Sequence, residues 1–330
     1  MTLSIWLLLH LGIGLSVTWL ARRYALRRQL LDHPGERRSH VSPTPRGGGV
    51  SIVVALLAAV AWLWAQPQSP TWLPFFATGL VLVAGVGLVD DHRPLSPWLR
   101  LAVHGAAAGC LAAASWVELQ DPGMAVLAFV AALVLTNVWN FMDGIDGIAA
   151  TQALLVALAI AAMAVGPARW LAWAMLAAVA GFLPFNMPRA RVFLGDVGSG
   201  ALGFAIAALA VRADGSRQGV AWLLALPLSA FLLDAGLTLA GRIYRGEPWW
   251  RAHVLHAYQR WVRRSGRHMP VTFAYLGWTL ASMALLVLLL RWRIEPLAML
   301  AVCMAWYMTG TGAWWMLQRK RTDAAMENLE

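Results

Sequence analysis

Residues 123–147 read GMAVLAFVAALVLTNVWNFMDGIDG. The first thirteen carry no charge, and a helix of about 20 such residues crosses the hydrocarbon core of a bilayer. The last twelve bring two asparagines and two aspartates directly to the end of that run. The stretch therefore reads as a membrane-spanning helix with chemistry gathered at one exit.

The rest of the chain is of the same kind. Of its 330 residues 60% are hydrophobic and 13% charged, against about 45–50% and about 25% in an average soluble domain. Eleven apolar segments are long enough to span or nearly so: 3–20, 47–66, 71–89, 100–116, 124–141, 149–166, 168–185, 198–212, 219–240, 272–290 and 296–317. The longest connections, 21–46 and 241–271, leave no room for a soluble domain. The expected fold is all-α, a polytopic membrane helix bundle forming one domain over residues 1–330. Residues 3–20 lack a basic leader and precede an Arg-rich stretch, so they read as a retained helix rather than a signal peptide.

The net charge of +10 raises the question of nucleic acid, and its placement answers it. When the connections alternate from an outside N-terminus, 21 of the 26 basic residues fall on one side, in 21–46, 93–100, 189–191, 242–267 and 319–321. Basic residues mark the cytoplasmic face, which places the N-terminus outside and the C-terminus inside. The charge thus serves topology and membrane lipid, not nucleic acid. Cys110 and Cys303 lie in separate apolar segments with no CxxC and read as core residues.

The other polar residues collect on the same face. They lie in DHPGERRSHVSPTPRGGG (32–49), LVDDHRPLSPWLR (88–100), NFMDGIDG (140–147), FNMPRARVFLGDVGSG (185–200) and the histidine-bearing connection 242–268. Each has an ordinary explanation alone, because carboxylates suit helix ends through the helix dipole. Together they ask for more. Asp90 and Asp91 are adjacent like charges, each raising the cost of ionising the other, and a hard cation such as Mg²⁺ offsets this while leaving positions for phosphate oxygens. Arg46-Gly47-Gly48-Gly49 and GDVGSG (195–200) are glycine turns at helix starts, whose N–H groups can cradle an anion. Arg37, Arg38, Arg46, Arg189, Arg191 and Arg242 are candidate phosphate charges. His253 and His256 have i, i+3 spacing but no third zinc ligand at a matching interval, so they read as hydrogen-bond donors to phosphate or sugar, with His40 as a further candidate. His10 and His104 read as structural. Asp234, inside the ninth segment, is costly in a bilayer and calls for a function or a partner.

LVDDHRPLSPWLR, TNVWNFMDGIDGIA, RVFLGDVGSG and HVLHAYQR, in this order, resemble the motifs of the polyprenyl-phosphate N-acetylhexosamine-1-phosphate transferases, the family that includes the phospho-MurNAc-pentapeptide translocase. SHVSPTPRGGGV is similar to that family's first cytoplasmic loop. The resemblance implies ten or eleven membrane helices and transfer of a sugar 1-phosphate from a UDP-N-acetylhexosamine to undecaprenyl phosphate, releasing UMP. It also implies Mg²⁺, with Mn²⁺ as a substitute, and the cytoplasmic face of a bacterial inner membrane. Carried onto this chain, it implies catalytic and metal-binding roles for Asp90, Asp91 and Asp196. Asn140, Asp143, Asp146, His253 and His256 fall on its substrate motifs, and Arg46, Gly47 and Gly48 on its first loop. The translocase branch has three consecutive histidines where this chain reads HVLHAYQ. The loop is therefore more similar to the branch that initiates O-antigen or other surface polysaccharides, with Tyr258 and Gln259 as candidate sugar contacts. A homodimer is left open. The rival reading is an ion-coupled transporter, which would place its polar residues near the midplane; only Asp234 does so.

Overall fold

The computed structural model describes residues 1–33, 35, 42–213, 219–248, 250, 253–292 and 294–319. Arg37, Arg38 and His40 lie outside them. The described residues form twelve α-helices: α1 (Leu3–Arg27), α2 (Val50–Trp64), α3 (Trp72–His92), α4 (Pro97–Leu119), α5 (Pro122–Met142), α6 (Ile148–Met163), α7 (Gly166–Asn186), α8 (Gly195–Ala210), α9 (Ala225–Tyr244), α10 (Ala257–Ser265), α11 (His268–Arg291) and α12 (Pro296–Arg319). A two-residue antiparallel pair, β1 (Leu31–Asp32) and β2 (Thr44–Pro45), closes the first connection.

Eight helical segments are long and apolar enough to cross a membrane, and α2, α6 and α8 are shorter apolar helices. These eleven coincide with the eleven segments expected from sequence. The helix absent from that expectation is α10, whose sequence AYQRWVRRS is too short and too basic to span. It buries Ala257, Tyr258 and Val262 and turns Arg263 and Arg264 outward.

The short helices sit inside. Every residue of α8 from Val197 to Leu209 is buried, and α6 is buried along most of its length, as expected for helices apolar all round. The outer helices instead expose Leu8, Val126, Leu297 and Met308, among others. In a bilayer that surface meets lipid. α8 packs against α3 and α5, which brings the start of α8 to the ends of α3 and α5.

Small residues permit the closest crossing. A Cβ on Gly198 would stand 2.6 Å from Gly49 Cα, so α2 and α8 meet backbone to backbone. Gly198→Ala is therefore expected to destabilise by about 1–3 kcal/mol through overpacking, read as a lower melting temperature in detergent. Gly236→Ala is the control, because nothing lies within 4 Å of its Cβ position, and its melting temperature should not fall.

Candidate active site

α3 ends in Asp90-Asp91-His92, α5 ends at Met142 with Asp143 as its C-cap, and α8 begins Gly195-Asp196. α3 and α5 reach their ends where α8 starts, so carboxylates from three helices converge. Their side chains then divide by direction.

Asp90 and Asp196 face each other across Arg100. Its Nη1 lies 2.7 Å from Asp90 Oδ2 and 2.6 Å from Asp196 Oδ2. Asn140 Nδ2 donates to Asp196 Oδ1 and to Ser199 Oγ, both at 3.1 Å. Arg100 lies in the first turn of α4, after Pro97. Sequence reasoning counted it only as topological charge; the available signal was its position just inside an apolar helix, where a guanidinium needs a partner.

Asp91 turns the other way. It is buried, and its two oxygens accept the N–H groups of Asp196 (3.1 Å) and Val197 (3.2 Å). Asp91 thus acts as an N-terminal cap for α8 from a different helix. Asp90 is held in turn by the Leu95 N–H on Oδ1 and by Arg100 on Oδ2, and of these three aspartates it is Asp196 that lines the cleft described below.

The glycine turns are packing devices instead of anion cradles. Gly48 and Gly49 donate their N–H groups to the carbonyls of Phe193 and Leu194, at 2.9 Å each. Gly195 has φ +72°, and a side chain there would meet the Asp91 carboxylate and Gly47. Arg46 does not line the cleft described below, though its charge acts on Asp91.

Asp143 and Asp146 do not share a helical face. α5 stops at Met142 and α6 begins at Ile148, so both aspartates lie in the non-helical connection between them. Asp143 lines the cleft. Asp146 points away from it, its Oδ2 lying 3.2 Å from His268 Nδ1 at the start of α11, while its carbonyl accepts from Thr272 Oγ1. The space beside Gly144 is filled by the Tyr258 hydroxyl, which donates to Phe141 O at 3.0 Å.

The cleft has a volume of about 330 Å³. On one wall stand Arg100, Asn140, Asp143 and Asp196; on the other are His253, His256, Tyr258 and Gln259. His104 and Asn137, joined at 3.3 Å, also line it, so His104 belongs to the cleft although its sequence read as structural. His10, by contrast, is buried away from it and bonds Trp6 O. Trp98 and Trp250 face each other at 5.9 Å and both border the cleft.

The electrostatics of the two walls differ. Burial, with the Asp196 and Asp91 charges behind it, pushes the Asp143 carboxyl up to about 8. Burial foremost, then the His256 and Arg242 charges, hold the His253 imidazole down at about 4, and burial also lowers His256. The histidine wall is therefore neutral at pH 7. Because His253 Nδ1 accepts the Leu255 N–H, its proton sits on Nε2.

Among the described residues no three His, Cys, Asp or Glu side chains gather around one point. The donor chemistry nevertheless suits a hard cation at Asp90 and Asp196. Two carboxylates already share one cationic nitrogen, and Asp143 lies close enough to Asp196 to be raised by it. Mg²⁺ takes one or two carboxylates together with substrate phosphates.

The model of glycosyl transferase family 4 matches residues 73–214. The chain is 31% identical over 304 residues to the decaprenyl-phosphate N-acetylglucosaminephosphotransferase of Mycobacterium tuberculosis, covering 78% of this chain and 75% of that protein. It is 32% identical over 197 residues to the undecaprenyl-phosphate alpha-N-acetylglucosaminyl 1-phosphate transferase of Thermotoga maritima, covering 58% and 60%. Similarity to the phospho-N-acetylmuramoyl-pentapeptide-transferase of Moorella thermoacetica is 36% over 207 residues, covering 53% and 63%.

Proposed function

The chain belongs to glycosyl transferase family 4, and from that premise we propose that it transfers an N-acetylhexosamine 1-phosphate from a UDP-sugar to undecaprenyl phosphate. It is a multi-pass bacterial membrane protein whose relatives are named as polyprenyl-phosphate sugar-phosphate transferases. The reaction takes place on the cytoplasmic face of the inner membrane and begins an O-antigen or another surface polysaccharide. N-Acetylglucosamine is the first donor to test, because two of the compared relatives are named for it. The observation that carries the reading is the Asp90–Arg100–Asp196 constellation, facing a neutral histidine wall across one cleft.

Chemically, an oxygen of the lipid phosphate attacks the β-phosphorus of the UDP-sugar. The bond from that phosphorus to the bridging oxygen breaks, and UMP leaves with the electron pair. A phosphate monoester has a second pKa near about 6, so at pH 7 the lipid phosphate is mostly a dianion and needs little help from a base. The main barrier is bringing two anions together, and positioned positive charge lowers it. Mg²⁺ held by Asp90 and Asp196 would neutralise charge on the diphosphate. Arg100 adds a fixed guanidinium beside them, and Asn140 holds Asp196 in orientation. His253 and His256, being neutral, donate hydrogen bonds to phosphate or sugar without adding charge. Asp91, buried and bonded through both oxygens to the start of α8, serves in this reading as the support that places Asp196.

The transporter reading rests on Asp234 alone, and that carboxylate is taken up by donors from α10 and α11. The test of the enzyme is to supply membranes containing it with undecaprenyl phosphate, Mg²⁺ and a panel of UDP-N-acetylhexosamines. UMP release with one donor is the expected result, and silence with every donor rejects the proposal.

A further inference from the structure

Asp234 is 2% exposed within α9 and does not line the cleft. Its Oδ1 accepts the Ala257 N–H at 2.7 Å, and its Oδ2 accepts the Tyr258 N–H at 3.1 Å and the Tyr275 O–H at 2.6 Å. A carboxylate inside a membrane helix is thus satisfied by two other helices, α10 and α11. Thr238 of its own helix is a weaker partner, at 3.4 Å.

The first N–H groups of a helix have no intrahelical acceptor, and a Ser, Thr, Asp or Asn at the N-cap commonly accepts one. In α10 the N-cap residue is His256, with Ala257 and Tyr258 as its first two helical residues. The acceptor for these two N–H groups arrives from α9. His256 and Gln259 form a capping box at the same turn, and both also line the cleft. Asp91 does for α8 what Asp234 does for α10, and by holding the start of that helix it places Asp196. The two walls of the cleft are therefore held by the same device, an aspartate on a neighbouring helix gripping the first turn.

We propose that Asp234 is the positioning residue of the histidine wall: it fixes the start of α10 and so sets where His253, His256 and Gln259 meet the UDP-sugar. Of the other contacts, the Tyr258 hydroxyl also ties the first turn, to Phe141 O at 3.0 Å, and two more lie outside that turn. Gln318 Nε2 of α12 donates to Leu255 O at 3.2 Å, and Arg264 Nη1 donates to Leu317 O at 3.0 Å. The carboxylate wall is built on α3, α4, α5 and α8, none of which Asp234 holds. Loss of the grip should loosen the donor side while leaving the metal side intact. This inference rests on the cleft being the UDP-sugar site.

The experiment uses the full chain in detergent with Asp234→Asn, which keeps the size but lacks a second accepting oxygen, and with the milder Tyr275→Phe. Hydrogen exchange of the peptide spanning 253–265 needs no activity. In Asp234→Asn it should quicken by about tenfold at Ala257 and Tyr258, as local opening becomes easier. In the same variant KM for the UDP-sugar should rise by about tenfold through loss of charge-assisted hydrogen bonds. KM for undecaprenyl phosphate and the Mg²⁺ concentration for half-maximal rate should stay within about twofold, because no Asp234 contact reaches those groups. Tyr275→Phe leaves both backbone contacts in place and should raise the donor KM by about threefold. If Asp234→Asn cannot be recovered folded, Tyr275→Phe decides: an unchanged donor KM overturns the proposal. So does unchanged exchange in Asp234→Asn, or an equal rise in donor KM, acceptor KM and Mg²⁺ requirement, which marks a merely structural role. Parent protein that releases no UMP with any donor refutes the enzyme reading instead, while the exchange result still judges the grip.

Discussion

Asp196→Asn is expected to lower the turnover of sugar-1-phosphate transfer by about 10²–10³-fold, the scale seen when one preorganised electrostatic group is removed from a reacting centre. The substitution keeps the shape and can keep the contact with Asn140, 3.1 Å away. What it removes is the negative charge opposite Asp90, on which a bound cation depends. The N–H of residue 196 remains, so Asp91 still caps α8 and the fold should persist with a melting temperature close to that of the parent. Asp146→Asn supplies the contrast. That carboxylate is tied to His268 and turned away from the cleft, so its replacement should alter turnover by no more than a few-fold. Steady-state UMP release from the two variants, alongside thermal unfolding, checks both. Equal activity losses would remove the distinction between the two aspartates.

Arg100→Ala is expected to shift two quantities in opposite directions. Arg100 Nη1 stands between Asp90 and Asp196, at 2.7 and 2.6 Å, on the oxygens that would bind Mg²⁺. With the guanidinium gone, two neighbouring carboxylates lack their compensating charge, so less Mg²⁺ should be needed for half-maximal rate. Turnover should still fall by about 10²-fold, because the diphosphate loses a fixed positive group during transfer. Arg100→Lys keeps the positive charge and should recover part of the turnover. A Mg²⁺ titration of UMP release separates the effects. A raised Mg²⁺ requirement in Arg100→Ala would mean that the guanidinium and the cation do not share these oxygens.

The membrane architecture was legible because a bilayer imposes one long apolar run per crossing, and each of the eleven runs is an observed helix. α10 escaped because it neither spans nor repeats a pattern over enough residues. Convergence at one end of the bundle was legible from charge, since Asp90, Asn140, Asp143, Asp196, His253 and His256 all fall at or beside connections on the basic side. Side-chain direction was not. Asp90 and Asp91 are consecutive on α3, and successive helical residues point about 100° apart, so one faces Arg100 and the other faces the start of α8. The sequence alone gives no sign of which is which. Asp143 and Asp146 are three apart, the spacing of one helical face, but α5 ends before both. The glycine turns suggested free N–H groups, which the pairing of Gly48 and Gly49 with Phe193 and Leu194 consumes. Arg100 and His104 are one turn apart on α4 and face the same cleft, a relation hidden while Arg100 counted only toward topology. Asp234 needed a partner by its depth, but donors 23 and 41 residues away on other helices are invisible before the fold is known.

The most direct measurement follows a radioactive label in the β-phosphate of the UDP-sugar donor. Sugar-1-phosphate transfer at the Asp90–Arg100–Asp196 centre predicts that the label moves to the butanol-extractable lipid while unlabelled UMP is released in equal amount. Label retained in the aqueous phase as UDP, with only the sugar reaching the lipid, would contradict it.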